Sequence, residues 1–171
     1  WLMPSHELAA IGGFSNLNYP EDYDLVFRWY QYNFKVHCLP QVTLHWREHA
    51  ARTSRNSPNY QQAALFNLKI QRFLALEQPL QPLVLWGTGV KAKLAAQVLL
   101  AHKVSFRWMA LKAEKHKNGI MGQTIESYKV LPEIKQPKIL LAVYPPPSEK
   151  QKLEKHLNSL NLLEGKNYWY L

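Results

Sequence analysis

The 171-residue sequence holds a single cysteine, Cys38, so no internal disulfide is available. Nor does any cysteine pair or Cys/His spacing offer a structural zinc site, and a reducing, cytoplasmic compartment fits best. Aspartate is missing from everything after Asp24, which leaves only glutamate for acid chemistry in the rest of the chain. No apolar run approaches the roughly 18 residues that a membrane-spanning helix requires. The opening Trp1-Leu2-Met3-Pro4 is neither an initiator methionine nor a signal peptide, and the expectation is a chain cut from something longer. There is no internal repeat and no recognisable nucleic-acid module, so a nucleic-acid partner is not expected despite the basic balance.

What the sequence does hold is apolar residues in nearly half of its positions, enough for one or two small domains with their own cores. The formal net charge of +9 is unevenly spread: residues 1–75 carry 7 Lys and Arg against 5 acids, residues 76–171 carry 14 against 7. A basic second half can draw phosphates or an anionic membrane surface, and it is also how a solvated lysine-rich face looks. The lysines are scattered and not interleaved with aromatics, which favours the solvated face.

In chain order, Glu7 to Ile11 reads as a helical turn or two, stopped by Gly12-Gly13. Pro20 followed by Glu21, Asp22 and Asp24 reads as an acidic helix start, with apolar spacing running to about Tyr32. Lys35 to Pro40 and Val42 to Trp46 are expected as two short strands, with His45 a packing residue on the second. A long amphipathic helix is expected from Asn59 to about Leu76. Residues 77–82, with Pro79 and Pro82, form the best linker, and there the composition shifts. Leu83 to Trp86 is a compact apolar run of the kind a buried parallel strand shows, followed by a helix over Lys93–Ala101. Further strands are expected over Val104–Leu111 and Pro137–Tyr144, then a helix from Ser148 to Leu160 capped by Ser148. Strands alternating with helices imply βαβ units and a parallel sheet in a three-layer α/β domain. Tyr168-Trp169-Tyr170 reads as core or edge packing.

Chemistry concentrates at the acidic helix start. The backbone amides of the helix end can lock one carboxylate in place while its neighbour projects outward as a base, although the same acids also serve simply as a helix cap. The ordered series of Gly12-Gly13-Phe14, Glu21-Asp22-x-Asp24 with Arg28, the apolar strand pair, and His45-Trp46-Arg47-Glu48-His49 resembles the C-terminal half of inverting family-two glycosyltransferases of the A-type fold. The resemblance covers about residues 3–75. It implies that Asp22 is the general base for the acceptor hydroxyl, with Glu21 its paired neighbour, and that His49 helps hold a divalent metal (Mn or Mg) on the donor diphosphate. It also implies a nucleotide-sugar donor and a glycan or glycoconjugate acceptor, with peripheral association at the inner face of the membrane as a further expectation. The family's donor-binding half would lie upstream of Trp1, so the chain as given should not bind donor or catalyse transfer unaided.

Residues 83–171 resemble the Rossmann-like domains that some bacterial glycosyltransferases carry. Gly87-Thr88-Gly89-Val90-Lys91-Ala92 follows a strand and opens a helix, the context in which a glycine loop and free helix amides meet a phosphate. Where an acid would grip a ribose diol, the second strand ends in Ala110-Leu111-Lys112, with Glu114 a distant substitute. NAD(P) is therefore disfavoured against another phosphate-bearing ligand or none. An alternative makes this region a non-catalytic nucleotide-binding or partner-docking module.

Overall fold

A computed structural model describes residues 2–15, 18–77 and 82–171. The chain divides into two compact units, Trp1–Arg72 and Phe73–Leu171. Most of the expected linker, residues 78–81, lies outside the described residues, as does Trp1.

The first unit is helical. Helix α1 (Ser5–Ala10) ends where Gly12 and Gly13 turn left-handed, at φ +85° and +63°, and the Gly13 amide returns to the Leu8 carbonyl at 2.9 Å. Helix α2 (Glu21–Gln31) begins behind Pro20 with all three acids in its first turn, as the sequence led us to expect. Its Leu25 and Trp29 pack with Ile11 into a small core edged by Met3, Leu8 and Phe34. After a short helix α3 (Thr53–Asn56) and one 3-10 turn, helix α4 (Gln62–Leu76) buries Phe66, Leu68 and Ile70.

The expected strand pair is not formed. Residues 35–49 hold neither helix nor strand, and Val36, Leu39, Val42, Leu44 and Trp46 all stand exposed. Alternating apolar residues specify a strand only where a neighbouring strand takes the backbone hydrogen bonds, and no described residue does so here. His45, expected to pack, is exposed for the same reason.

The second unit is α/β, built on one five-stranded, all-parallel sheet of Rossmann-like topology. Its strands are β1 (Leu83–Trp86), β2 (Arg107–Ala110), β3 (Ile125–Ser127), β4 (Lys138–Leu141) and β5 (Tyr168–Tyr170), in the spatial order β3-β2-β1-β4-β5. Helix α5 (Val90–Ala101) links β1 to β2, and helix α6 (Pro147–Ser159) links β4 to β5. The two connections leave the centre in opposite directions, and right-handed crossovers therefore place the two helices on opposite faces. Side-chain parity agrees. Val84 and Trp86 share a core with Met109, Ile139, Leu141, Tyr168 and Leu157 of α6. Leu83, Leu85, Trp108 and Leu140 are buried on the alternate face, and α5 contributes Ala92, Ala95, Ala96 and Leu99 to the buried set. Trp169 of β5 meets Phe73 edge-on at 5.1 Å, and the Lys138 ammonium donates to both the Glu77 carbonyl and its carboxylate.

Two strands escaped the sequence reading: β3, only three residues long, and β5, which is the Tyr168-Trp169-Tyr170 run. The helix expected to be capped by Ser148 instead begins at Pro147, behind Pro146, and no side chain caps it. Proline lacks one of the amides that a helix start leaves free and its fixed φ suits the helix, so the helix opens at Pro147 and Ser148 falls inside its first turn.

The exit of β1 is the tightest point of the sheet. Gly87 sits at φ +127°, its amide continuing the ladder to the Met109 carbonyl at 2.9 Å. A Cβ built there would meet the Ala142 carbonyl oxygen at 2.7 Å and Val143 at 3.0 Å. Gly89, by contrast, has φ −73° and nothing within 4 Å of such a Cβ. Gly87→Ala should therefore destabilise the second unit by about 2 kcal/mol or more through backbone strain and the forced shift of β4's exit. Gly89→Ala should stay within about 1 kcal/mol of the parent. Urea unfolding of the two variants checks the contrast, and equal effects would contradict it.

Candidate functional site

Each unit presents its own candidate. In the first, the three acids at the start of α2 are sorted by their surroundings. Asp24 is fully buried. One of its oxygens takes the Ser15 hydroxyl at 3.0 Å and lies 3.0 Å from Arg28 Nε; the other is bonded by the Arg72 guanidinium. Arg28 reaches on through Nη1 to the Ile11 carbonyl at 2.7 Å, tying α2 to the turn that carries Gly12. The locked acid is thus Asp24, and it is held by two guanidinium groups and a hydroxyl rather than by helix amides.

Glu21 and Asp22 are left at the outer rim. Asp22 is half-buried and, among the described residues, accepts the neighbouring Tyr23 amide at 2.9 Å and no other donor. Glu21 is exposed, and both of its oxygens lie 3.1 Å from the Tyr60 hydroxyl, which donates to them. Burial, that hydrogen bond and the charges of Asp22 and Glu21 push the Tyr60 phenol up to about 12.

The structure does not bring His49 to these acids. It stands exposed in a loop, its carbonyl accepting the Arg52 amide at 3.3 Å. Among the described residues no three histidine, cysteine or acid side chains gather as a metal site. A lone imidazole does not fit a divalent ion by itself, and no metal-dependent step is derived from it.

In the second unit a cleft of about 1020 Å³ opens at the carboxyl ends of β1, β2 and β4. This is the crevice at the switch between β1-β2 and β1-β4, where open α/β sheets bind ligands. Gly87, Thr88 and Gly89 line it; Gly87 is fixed from below by the Trp108 indole, which donates to its carbonyl at 2.6 Å. Gly89 precedes the first turn of α5, which has no acid, and Ala92 is fully buried, the small third residue that lets helix and strand approach. Val90 and Lys91 do not line the cleft: Val90 is exposed, and the Lys91 ammonium sits 3.4 Å from the centre of the Tyr144 ring.

Apart from Trp86 and Lys112, at the ends of β1 and β2, the remaining walls were not anticipated. Trp86 stacks on Tyr128 at 5.6 Å, and Tyr128 meets His156 edge-on at 5.8 Å. Lys112, Lys115 and His116 come from the segment after β2. Helix α6 contributes Glu149, Lys152, Leu153 and His156. Those four share one face by their spacing of three, four and seven, a signal present in the sequence that gained meaning only once β4 was known to end beneath it. Leu111 and Lys112 stand at the end of β2 as expected, and Glu114, exposed, does not line the cleft.

No family model matches this chain, and neither a curated protein nor a solved structure does so. Among the described residues, no helix is long and apolar enough to cross a membrane.

Two outcomes follow for the first unit. Asp24→Asn keeps the shape but leaves the buried Arg28 and the partly buried Arg72 without their counter-charge, and should cost about 3 kcal/mol in urea unfolding. For Tyr60 the folded pKa lies above the ordinary value of 10, so whatever this phenol contributes to stability is complete below pH 10 and is lost as pH rises through about 12. The phenolate absorbance difference between the parent and Tyr60→Phe should show this late titration, and Glu21→Gln should bring it nearer 10.

Proposed function

We propose that this chain is part of a glycosyltransferase that moves a sugar from a nucleotide-sugar donor to a glycan or glycoconjugate acceptor, with Asp22 as the base. The observation that carries this reading is the sorting of the three acids. Asp24 is committed to two arginines and anchors α2, whereas Asp22, among the described residues, makes one local hydrogen bond and leaves its other oxygen to take a proton. A base needs a fixed backbone and an uncommitted carboxylate, and adjacent positions of one helix start supply them. Glu21, held by Tyr60, is its paired neighbour, and the Gly12-Gly13 turn is linked to the same helix through Arg28. The donor half and any divalent metal with it would be contributed from outside these residues, His49 at most joining that metal as one ligand among others.

Attack by the acceptor hydroxyl on the sugar carbon forms the new glycosidic bond and breaks the bond to the donor phosphate, which leaves with its electron pair. The hydroxyl proton passes to the Asp22 carboxylate. In the protein carrying the donor half, Asp22→Asn should lower transfer by roughly 100- to 10,000-fold. It should leave nucleotide-sugar binding and the unfolding midpoint unchanged, because the amide keeps the shape. The check is product formation by mass spectrometry across a panel of nucleotide sugars, beside a binding titration; near-parental turnover would return Asp22 to a helix cap.

A further inference from the structure

We propose that the cleft of the second unit is a separate binding site for a nucleoside diphosphate, free or sugar-linked, and not for NAD. The inference stands apart from the acids of the first unit.

Its cationic groups converge from two segments distant in sequence. Lys112 and Lys115 follow β2, Lys152 lies on α6, and the cleft has one acid, Glu149. Lysines merely solvating a surface have no reason to ring a cavity at the ends of three strands. The interior is aromatic and apolar: Trp86, Tyr128, Val143, Leu153 and the prolines after Tyr144. The His156 Nε2 is shut off from solvent and has no hydrogen-bond partner among the described residues, an uncommitted polar atom on the cleft wall. Gly89 adds a further sign: its backbone is one any residue adopts, and nothing lies within 4 Å of where a side chain would begin. The open space lies beside the amides of the first turn of α5.

An occupant must therefore combine a multiply charged anion with a flat, largely apolar body. Inorganic phosphate would leave most of a volume of about 1020 Å³ unfilled. A nucleoside diphosphate satisfies both halves, its phosphates against the glycine loop and the lysines, its base against the aromatic wall. NAD fits less well, because it brings two flat rings, adenine and nicotinamide, to a cleft whose described residues supply one aromatic cluster, Trp86 with Tyr128 and His156.

The test is calorimetric titration of the 171-residue chain with inorganic phosphate, ADP, UDP, UDP-glucose and NAD. ADP or UDP should bind at least about tenfold more tightly than phosphate or NAD. UDP-glucose binding more tightly than UDP would identify the sugar-linked form as the occupant; the reverse would identify the free nucleotide. Gly89→Asp places a carboxylate in the open space on a backbone that accepts it, and should weaken diphosphate binding by more than about tenfold with an unchanged melting temperature. Lys152→Glu, on an exposed helix position, should weaken it in the same direction and reduce its salt dependence. The proposal is overturned if no nucleotide binds, if phosphate or NAD binds as tightly as the diphosphates, or if both variants bind like the parent. Any of these leaves the role of Asp22 untouched, since that is read by sugar transfer in the other unit.

Discussion

The close approach of Gly87 to the Ala142 carbonyl governs the second unit. β1 and β4 are neighbours throughout their length, and their exits must separate if a crevice is to form between the loops that follow. They do so at a residue without a side chain, turned to φ +127° and braced by the Trp108 indole and the Met109 carbonyl. With any Cβ at that position the two exits could not pass so close. Everything downstream depends on it: the direction of α5, the placing of its first-turn amides, and the gap that α6 closes from the side.

The first unit depends on a different device. A wholly buried carboxylate is costly unless its charge is matched, and Asp24 is matched twice over. Arg28 also donates through Nη1 to the Ile11 carbonyl in the turn after α1, and Arg72 joins the start of α2 to the far end of α4. The small core of Ile11, Leu25 and Trp29 is thus supplemented by an ionic junction that specifies which helix faces meet. Ionic contacts of this kind are more directional than apolar packing, which suits a unit with few buried side chains and a long irregular segment.

Much of this could be read in advance, and what failed did so for reasons of partnership. The strand β1, the glycine loop and α5 are specified locally: a short apolar run, two glycines and a helical period, none needing a distant neighbour to be recognised. The acidic start of α2 was equally plain, but not which acid would be buried, because that is decided by Arg72, 48 positions away. The apolar alternation over residues 35–46 has the period of a strand and no partner among the described residues, so period alone misled. β3 and β5 went unrecognised for the opposite reason: each has three residues, and each becomes a strand by lying beside β2 or β4. The lysines of the second half looked like a scattered, solvated set, yet the topology draws three of them to one cleft.

The strand order also bears on how the second unit is made. β1 is the central strand and the first of the five to leave the ribosome, but its two neighbours arrive far apart in time. β2 follows after one helix. The other edge, along which Leu83 to Trp86 pair with Lys138 to Leu141, stays open until about 55 further residues have been added. At roughly 5 to 20 residues per second, that apolar edge waits on the order of seconds before it is covered. An unpaired strand of this composition is a template for association with other chains. During synthesis, then, the innermost strand of the finished protein is the segment most in need of protection, and β4, whose exit shapes the cleft, is also the element that ends the exposure.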